Sequence, residues 1–369
     1  MLISIIFLIH FYFNLMGSMI ILYKMRFDNP INEHFVEFPD IASFPELNDE
    51  YRFQKEVDLS PLYDSHDDGN FEKFNSNLDD IIDISKKEVP ISENEIKLGN
   101  KWRERLKYYF DFYQNFYRNS EKIETKCWED LYEYGHHVTT IDTKNIYNLI
   151  KNNIDKLLSQ PDWDPPPGTY DRGEQLGTEI IKEVNNIFES CNIIKSVNAY
   201  NNRNLSVKNV FLHIAKPSDK NWKQFLQDKK ITPKLTNMHI DPKEDVMKAM
   251  IYLEDVNKNN GPISYIPTSN RFIYDPLQNI FGRAISTGSY CFNPDSRASV
   301  FRLPKKLRIT HNFGRLVLDD SNLEKNLLKN METMTSDKGN VIVFDPGNGI
   351  HYGGTVKEGR RIALQILMK

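Results

Sequence analysis

The segment Met238-His239-Ile240-Asp241 puts an imidazole and a carboxylate two residues apart. On an extended strand, residues i and i+2 point to the same face, so His239 and Asp241 can hold one metal ion together. Downstream, Val341–Phe344 reads as a buried strand, Asp345-Pro346-Gly347-Asn348-Gly349 as a turn, and His351 follows the turn. Two histidines and one carboxylate can occupy one face of an octahedral ion and leave three positions open, the donor set suited to non-haem Fe(II). Zinc more often takes a closed tetrahedral set. Ten residues after His351, Arg361 opens the apolar run Ile362–Ile366. A charge there is either an edge-strand gatekeeper facing solvent or an inward guanidinium that grips a carboxylate with two parallel hydrogen bonds. Arg360 and Arg361 face opposite ways on a strand, so only one points inside. Arg361 is preferred, because Ala363 on its face leaves room for a ligand; Arg360 is the register alternative.

Other reactive residues carry less. His136 and His137 are adjacent and cannot both face one metal from a regular strand, so they read as structural or surface residues. His213, inside Val210–Ile214, reads as a core or pocket-lining histidine. His311 follows the basic stretch Lys305-Lys306-Leu307-Arg308, which reads as a solvated face or a contact for an anionic substrate. Cys127, Cys191 and Cys291 form no CxxC, which excludes a thiolate zinc site and a disulfide framework; they read as buried or inert. There is no GxGxxG and no P-loop.

The elements that must position these residues come in two textures. Trp102, Leu106, Tyr109, Phe110, Tyr113, Phe116 and Tyr117 share one face of an amphipathic helix, and this aromatic stripe reads as core packing. A second helix follows Asp142 as N-cap, with Ile146, Leu149, Ile150, Ile154 and Leu157 on one face. Asp164–Gly168 breaks the chain, and a third helical pattern covers Gly173 to Cys191. After Tyr200, Val207–Ala215, Lys248–Leu253, Asn340–Phe344 and Arg361–Leu367 read as strands between turn-rich loops. Helices first and strands later indicate an α+β chain with a C-terminal sandwich or barrel.

Charge is distributed unevenly. The chain of 369 residues has 47 Lys/Arg, 51 Asp/Glu and a net charge of −4. Asp28–Glu95 alone holds 19 Asp/Glu against 5 Lys/Arg, a net of −14, which leaves +10 for the rest. With five prolines and little helical periodicity, this stretch reads as an acidic, partly disordered arm. Near-neutral overall charge argues against a nucleic-acid binder, and the positive body suits an anionic small-molecule substrate. Leu2–Tyr23 is apolar enough to span a bilayer, with Lys24 and Arg26 favouring a cytoplasmic C-terminal side. Two readings stay open: a membrane anchor, or a translation start at Met16, Met19 or Met25 that leaves a cytoplasmic protein.

The chain resembles the phytanoyl-CoA dioxygenase family over roughly Cys127 to Lys369, best from His239 to Asn270 and from Gly339 to Leu367. After the HxD, Lys248–Val256 and then Asn260-Gly261-Pro262-Ile263-Ser264-Tyr265-Ile266-Pro267-Thr268-Ser269-Asn270 parallel that family's strand, acidic turn, Asn-Gly and Ile-Pro-Gly-Ser-His loop, before a distal His and an Arg. Thr268 and Asn270 replace the loop's usual Gly and His, and Gly353 stands where many members carry a hydroxyl residue. Tyr134–Asp142 is similar to the start of such a domain. The resemblance implies a double-stranded β-helix, a jelly-roll with flanking helices. It also implies Fe(II) on His239, Asp241 and His351, and 2-oxoglutarate held by Arg361. The implied reaction uses molecular oxygen, hydroxylates a small-molecule or lipid-like substrate and releases succinate and CO2. The interval from Asp241 to His351 is long, so Arg271–Lys338 would hold an insertion over the site, where substrate choice usually resides. The expected organisation is an apolar segment over 1–24, the acidic arm over 25–100, a helical lead-in over 101–126 and the oxygenase domain over 127–369. Two alternatives stand beside it. A cupin-type metal isomerase would need further ligands, and no HxH pair is present. A non-catalytic jelly-roll binding module would more often have lost one of the three ligands.

Overall fold

A computed structural model of the chain describes residues 53, 55–88, 101–116, 122–160, 171–217, 238–241, 246–271, 276–288, 303–307, 320, 322–336 and 338–369. In chain order the elements are α1 (Ser60–Asp67), α2 (Phe71–Glu88), α3 (Lys101–Phe116), α4 (Lys126–Tyr134), β1 (His136–Thr140), α5 (Lys144–Ser159), β2 (Asp171–Gln175), α6 (Thr178–Ser190), α7 (Ile193–Asn201) and β3 (Val207–Ala215). Then come β4 (Met247–Tyr252), β5 (Ile263–Tyr265), α8 (Pro276–Gly288), α9 (Asn322–Asn330), β6 (Glu332–Thr333), β7 (Asn340–Phe344), β8 (His351–Gly353) and β9 (Arg361–Met368). The protein is a mixed helical and antiparallel-sheet structure.

Six strands form one sheet in the order β1-β7-β4-β9-β3-β2, and three form a second in the order β6-β5-β8, with every pair antiparallel. Side chains alternate across the larger sheet. Ala249, Ile251, Val341, Val343, Leu364 and Ile366 pack outward against α5, α6 and α7. Tyr252, Ile342, Phe344 and Ala363 point the other way and join Ile263, Tyr265 and Met334 of and beside the smaller sheet in a second cluster. The two sheets therefore share an inner core, and one face of the larger sheet is sealed by helices. β9 lies between β4 and β3, so Arg361 opens an interior strand and the edge-gatekeeper reading fails.

Local signals explain most boundaries. Thr125 caps α4 by accepting from Trp128 N–H, and Gly135 ends it at φ +80, where a residue without Cβ is favoured. Asp142 accepts from the Lys144 N–H at 2.9 Å at the start of α5. Two expectations need correction. Within the acidic arm over 25–100, α1 and α2 are helical, so the expectation of little helical periodicity fails there. In α2, Asn70 accepts from Lys73 N–H at 3.0 Å, and Phe74, Leu78, Ile81 and Ile82 share a buried face. The i, i+4, i+7 and i+8 spacing of these four residues is an amphipathic helical pattern set among acidic residues and prolines. The helical pattern from Gly173 is also too long. Residues 171–175 form β2 against β3, with Gly173 opposite His213, and the helix begins at Thr178.

Among the described residues, no helix is long and apolar enough to cross a membrane. The apolar segment 1–24, Asp164–Gly168, Cys291, Arg308 and His311 lie outside the described residues.

The Ile-Pro-Thr-Ser-Asn loop holds Thr268 at φ +66, a left-handed conformation unfavourable for a β-branched residue. Thr268→Gly is expected to raise stability by roughly 0.5–1 kcal/mol, the relieved strand-loop strain less glycine's added chain entropy. A higher urea midpoint at unchanged slope is the readout; an unchanged or lower midpoint counts against strain at this position.

Candidate metal centre

The backbone zips the ligand-bearing segments together. His239 N–H donates to His351 O and His351 N–H donates to His239 O, both at 3.0 Å. Residues directly opposite in an antiparallel pair put their side chains on the same face, and the two rings lie with centroids 4.5 Å apart. Asp241 N–H donates to Pro346 O at 2.7 Å, which fixes the next segment against the turn before His351. The result brings one ligand atom from each of His239, Asp241 and His351 within 4.8 Å of one another. Asp241 Oδ1 is 3.1 Å from His239 Nε2 and 3.7 Å from His351 Nε2. Among the described residues this is the one His/Cys/Asp/Glu group that converges in this way.

Each ligand is prepared for a cation. His351 Nδ1 lies 3.0 Å from the Gly349 carbonyl. A carbonyl only accepts, so Nδ1 carries the hydrogen and Nε2 keeps its lone pair toward Asp241. Burial is the main cause that pushes the His351 ring down to about 3, with the Lys248 ammonium acting in the same direction and Asp241 against it, so the ring is neutral at pH 7. Burial would raise the Asp241 carboxyl, but the His239 hydrogen bond and nearby positive charge, Lys248 included, hold it far below the usual carboxylate range. Lys248, at the start of β4, places its ammonium on Asp241 Oδ2, which leaves Oδ1 turned to the histidines. Arg283 of α8 donates through Nη1 to the Asp241 backbone carbonyl. The set is two imidazoles and an ionised carboxylate on one side, which fits a divalent ion with open positions.

Arg361 is buried at the start of β9. Its Nη1 donates to the carbonyls of Gly261 and Gly354, and its Nε is buried with no acceptor. A buried, unanswered guanidinium N–H calls for an acidic partner, so the site fits a bound carboxylate. Backbone crowding accounts for Gly261, where a Cβ would meet Gly354 O at 2.5 Å, but not for Gly353, where a Cβ would meet nothing within 4 Å. The space beside Gly353 is therefore open. Arg360 points the opposite way and pairs with Glu254 through Nε at 2.9 Å.

The inner face of the larger sheet beside these groups carries half-buried residues: Phe211 and His213 on β3, Lys248 and Met250 on β4, and Gln365 on β9. His136 and His137 are both buried, with His136 Nε2 3.3 Å from Glu332 and His137 Nδ1 2.8 Å from Asp130. They serve the frame around β1. Burial pushes the Cys127 thiol up to about 12, consistent with an inert thiol; Cys191 is exposed.

Lys248 and Arg283 were not singled out in the sequence. The available signal was a cation inside an apolar element, as in Leu277-Gln278-Asn279-Ile280-Phe281-Gly282-Arg283-Ala284-Ile285. Asp345 does more than open the turn before His351. Its carboxylate accepts from Tyr200 O–H at 2.7 Å and from Asn348 N–H and Nδ2 at 3.0 and 2.9 Å.

Burial raises the Asp345 carboxyl above its ordinary value despite these donors. A carboxyl with a raised folded value contributes stability that is full below its unfolded value of about 3.9 and is lost as pH rises through the folded value. The stability of the wild type relative to Asp345→Asn is therefore expected to fall as pH increases above about 4. Urea unfolding of the metal-free proteins at several pH values measures this; a difference that grows with pH would contradict it.

Residues 222–361 match the family model described as phytanoyl-CoA dioxygenase (PhyH). No curated protein matches the chain. Among solved structures, the epimerase SnoN in complex with Fe3+, alpha ketoglutarate and nogalamycin RO is similar at 12% identity and a TM-score of 0.41. That alignment covers 66% of this chain and 82% of the other. EctD from S. alaskensis with 2-oxoglutarate and 5-hydroxyectoine is similar at 12% identity and a TM-score of 0.39, over 69% of this chain and 80% of the other.

Proposed function

We propose that the chain is an Fe(II)- and 2-oxoglutarate-dependent dioxygenase of the phytanoyl-CoA dioxygenase type, a reading supported by the family-model match over residues 222–361. His239, Asp241 and His351 bind Fe(II), Arg361 binds the far carboxylate of 2-oxoglutarate, and a small-molecule substrate is hydroxylated. One observation carries this reading. Three metal-type ligands converge from segments 110 residues apart in sequence, on the same inner side as a buried arginine whose Nε lacks an acceptor. The two sheets sharing one inner core support a double-stranded β-helix, with the catalytic domain over 127–369 and the helices α1, α2 and α3 before it packed against its α8.

Iron held by His239, Asp241 and His351 would, with 2-oxoglutarate and oxygen as co-reactants, supply the oxidising power for hydroxylation, the second oxygen atom leaving in succinate as CO2 is released. The chain's own residues set geometry and charge. Gly349 fixes the His351 tautomer so that Nε2 faces the ion. Lys248 holds Asp241 Oδ2 and so favours binding through Oδ1 alone. Arg361 offers a planar fork that an ammonium cannot copy. Phe211, Met250 and Gln365 leave a partly apolar face for the substrate, and Lys248 at its edge favours an anionic one.

The test is a succinate-release assay with Fe(II), 2-oxoglutarate and a panel of small anionic and neutral metabolites. Stoichiometric succinate and hydroxylated product with at least one substrate supports the reading. Iron-loaded, folded protein that releases no succinate with or without any substrate would count against it.

A further inference from the structure

Helix α8 is buried on two sides. Leu277, Ile280, Phe281, Ala284 and Ile285 fall on one face and join the cluster built by α1, α2 and α3. Phe281 sits with its ring centroid 6.0 Å from both Trp102 of α3 and Phe74 of α2. At 100° per residue, Arg283 leaves the helix well away from that face. It is fully buried, which is costly for a guanidinium unless its donors are used.

Those donors reach two different pieces of the metal centre. Nη1 donates to the backbone carbonyl of Asp241, and Nη2 donates to Asn348 Oδ1 at 3.3 Å. Asn348 belongs to the turn between β7 and β8 that ends at His351. That turn also takes the Asp241 N–H through Pro346 O, and Asn348 is itself anchored to Asp345 by its N–H and its Nδ2. One planar fork thus spans the segment carrying His239 and Asp241 and the turn leading into His351.

We propose that Arg283 is a positioning residue of the metal centre. Its fork sets the distance between the Asp241 segment and the 346–351 turn. Helices α1, α2 and α3 hold the fork in place by packing on the opposite face of α8. The N-terminal helices are in this way part of the support for the ligand set, acting through α8. This rests on the metal site proposed above.

The experiment uses the full chain, stripped of metal and titrated with Co(II), whose visible absorption reports both affinity and ligand geometry. Circular dichroism checks the fold of each variant. Arg283→Met is expected to weaken Co(II) binding about 10- to 100-fold, the range for partners that orient metal ligands, and to change the visible spectrum. Arg283→Lys keeps the charge but can reach one acceptor at a time, so it recovers part of the loss and decides the matter if Arg283→Met does not fold. Phe281→Ala, which trims only the far face of α8, shifts affinity in the same direction by less. Folded Arg283 variants with wild-type Co(II) affinity and spectrum would overturn the positioning role. If the wild type itself binds no Co(II), the metal-site reading fails and this inference fails with it.

Discussion

His239→Ala is expected to abolish iron binding and iron-dependent 2-oxoglutarate turnover while the protein stays folded. The imidazole supplies one of three ligand atoms gathered within 4.8 Å. Orienting partners alone typically contribute about 10- to 100-fold in affinity, and a direct ligand contributes more, so a loss beyond about 100-fold is the expected size. The fold should survive because His239 is tied to His351 by backbone groups, which alanine keeps, and because its side chain is not part of either sheet's apolar core. Anaerobic iron titration with circular dichroism on the same sample separates the two effects. A folded variant with wild-type iron affinity would remove His239 from the ligand set.

Arg361→Lys should raise the half-saturating concentration of 2-oxoglutarate by about 10- to 100-fold, roughly 1.4 kcal/mol for each tenfold. The lysine preserves charge but not the planar fork. A single ammonium cannot answer both the Gly261 carbonyl, which Arg361 already bonds, and a carboxylate presented to the buried Nε side. Maximal turnover at saturating 2-oxoglutarate should change less than affinity. Arg360→Lys is the control. Its side chain lies on the rim with Glu254, where ion pairs contribute little, so it should leave the 2-oxoglutarate dependence near wild type. If Arg360→Lys carried the effect and Arg361→Lys did not, the proposed cosubstrate contact would be wrong.

Much of this site could be read from residue spacing, because the relevant rules are local. His239 and Asp241 at i and i+2 share a face wherever the backbone is extended. The choice between Arg360 and Arg361 followed from strand alternation and the small Ala363. The long β-branched runs at Val207–Ala215 and Asn340–Phe344 became β3 and β7 with the same bounds. What was not legible depends on partners far away in the chain. Residues 171–175 are a strand because β3 offers them an edge, and nothing within five residues signals that. In α2 the apolar residues lie among acidic ones, and the face they form is stabilised by Phe110 and Phe281, which composition does not show. Arg283 meets Asp241 across 42 residues, and the sequence marks it only as a charge among apolar neighbours. Such a charge is equally consistent with a surface position until the helix is placed.

The most direct measurement is an anaerobic equilibrium titration of the metal-free full chain with Fe(II), in the presence and absence of 2-oxoglutarate. One iron per chain is expected for the wild type, tighter when 2-oxoglutarate is present, with binding lost in His239→Ala and the 2-oxoglutarate enhancement weakened in Arg361→Lys. A folded wild-type protein that binds no iron under either condition would contradict the assignment of His239, Asp241 and His351 as a metal centre.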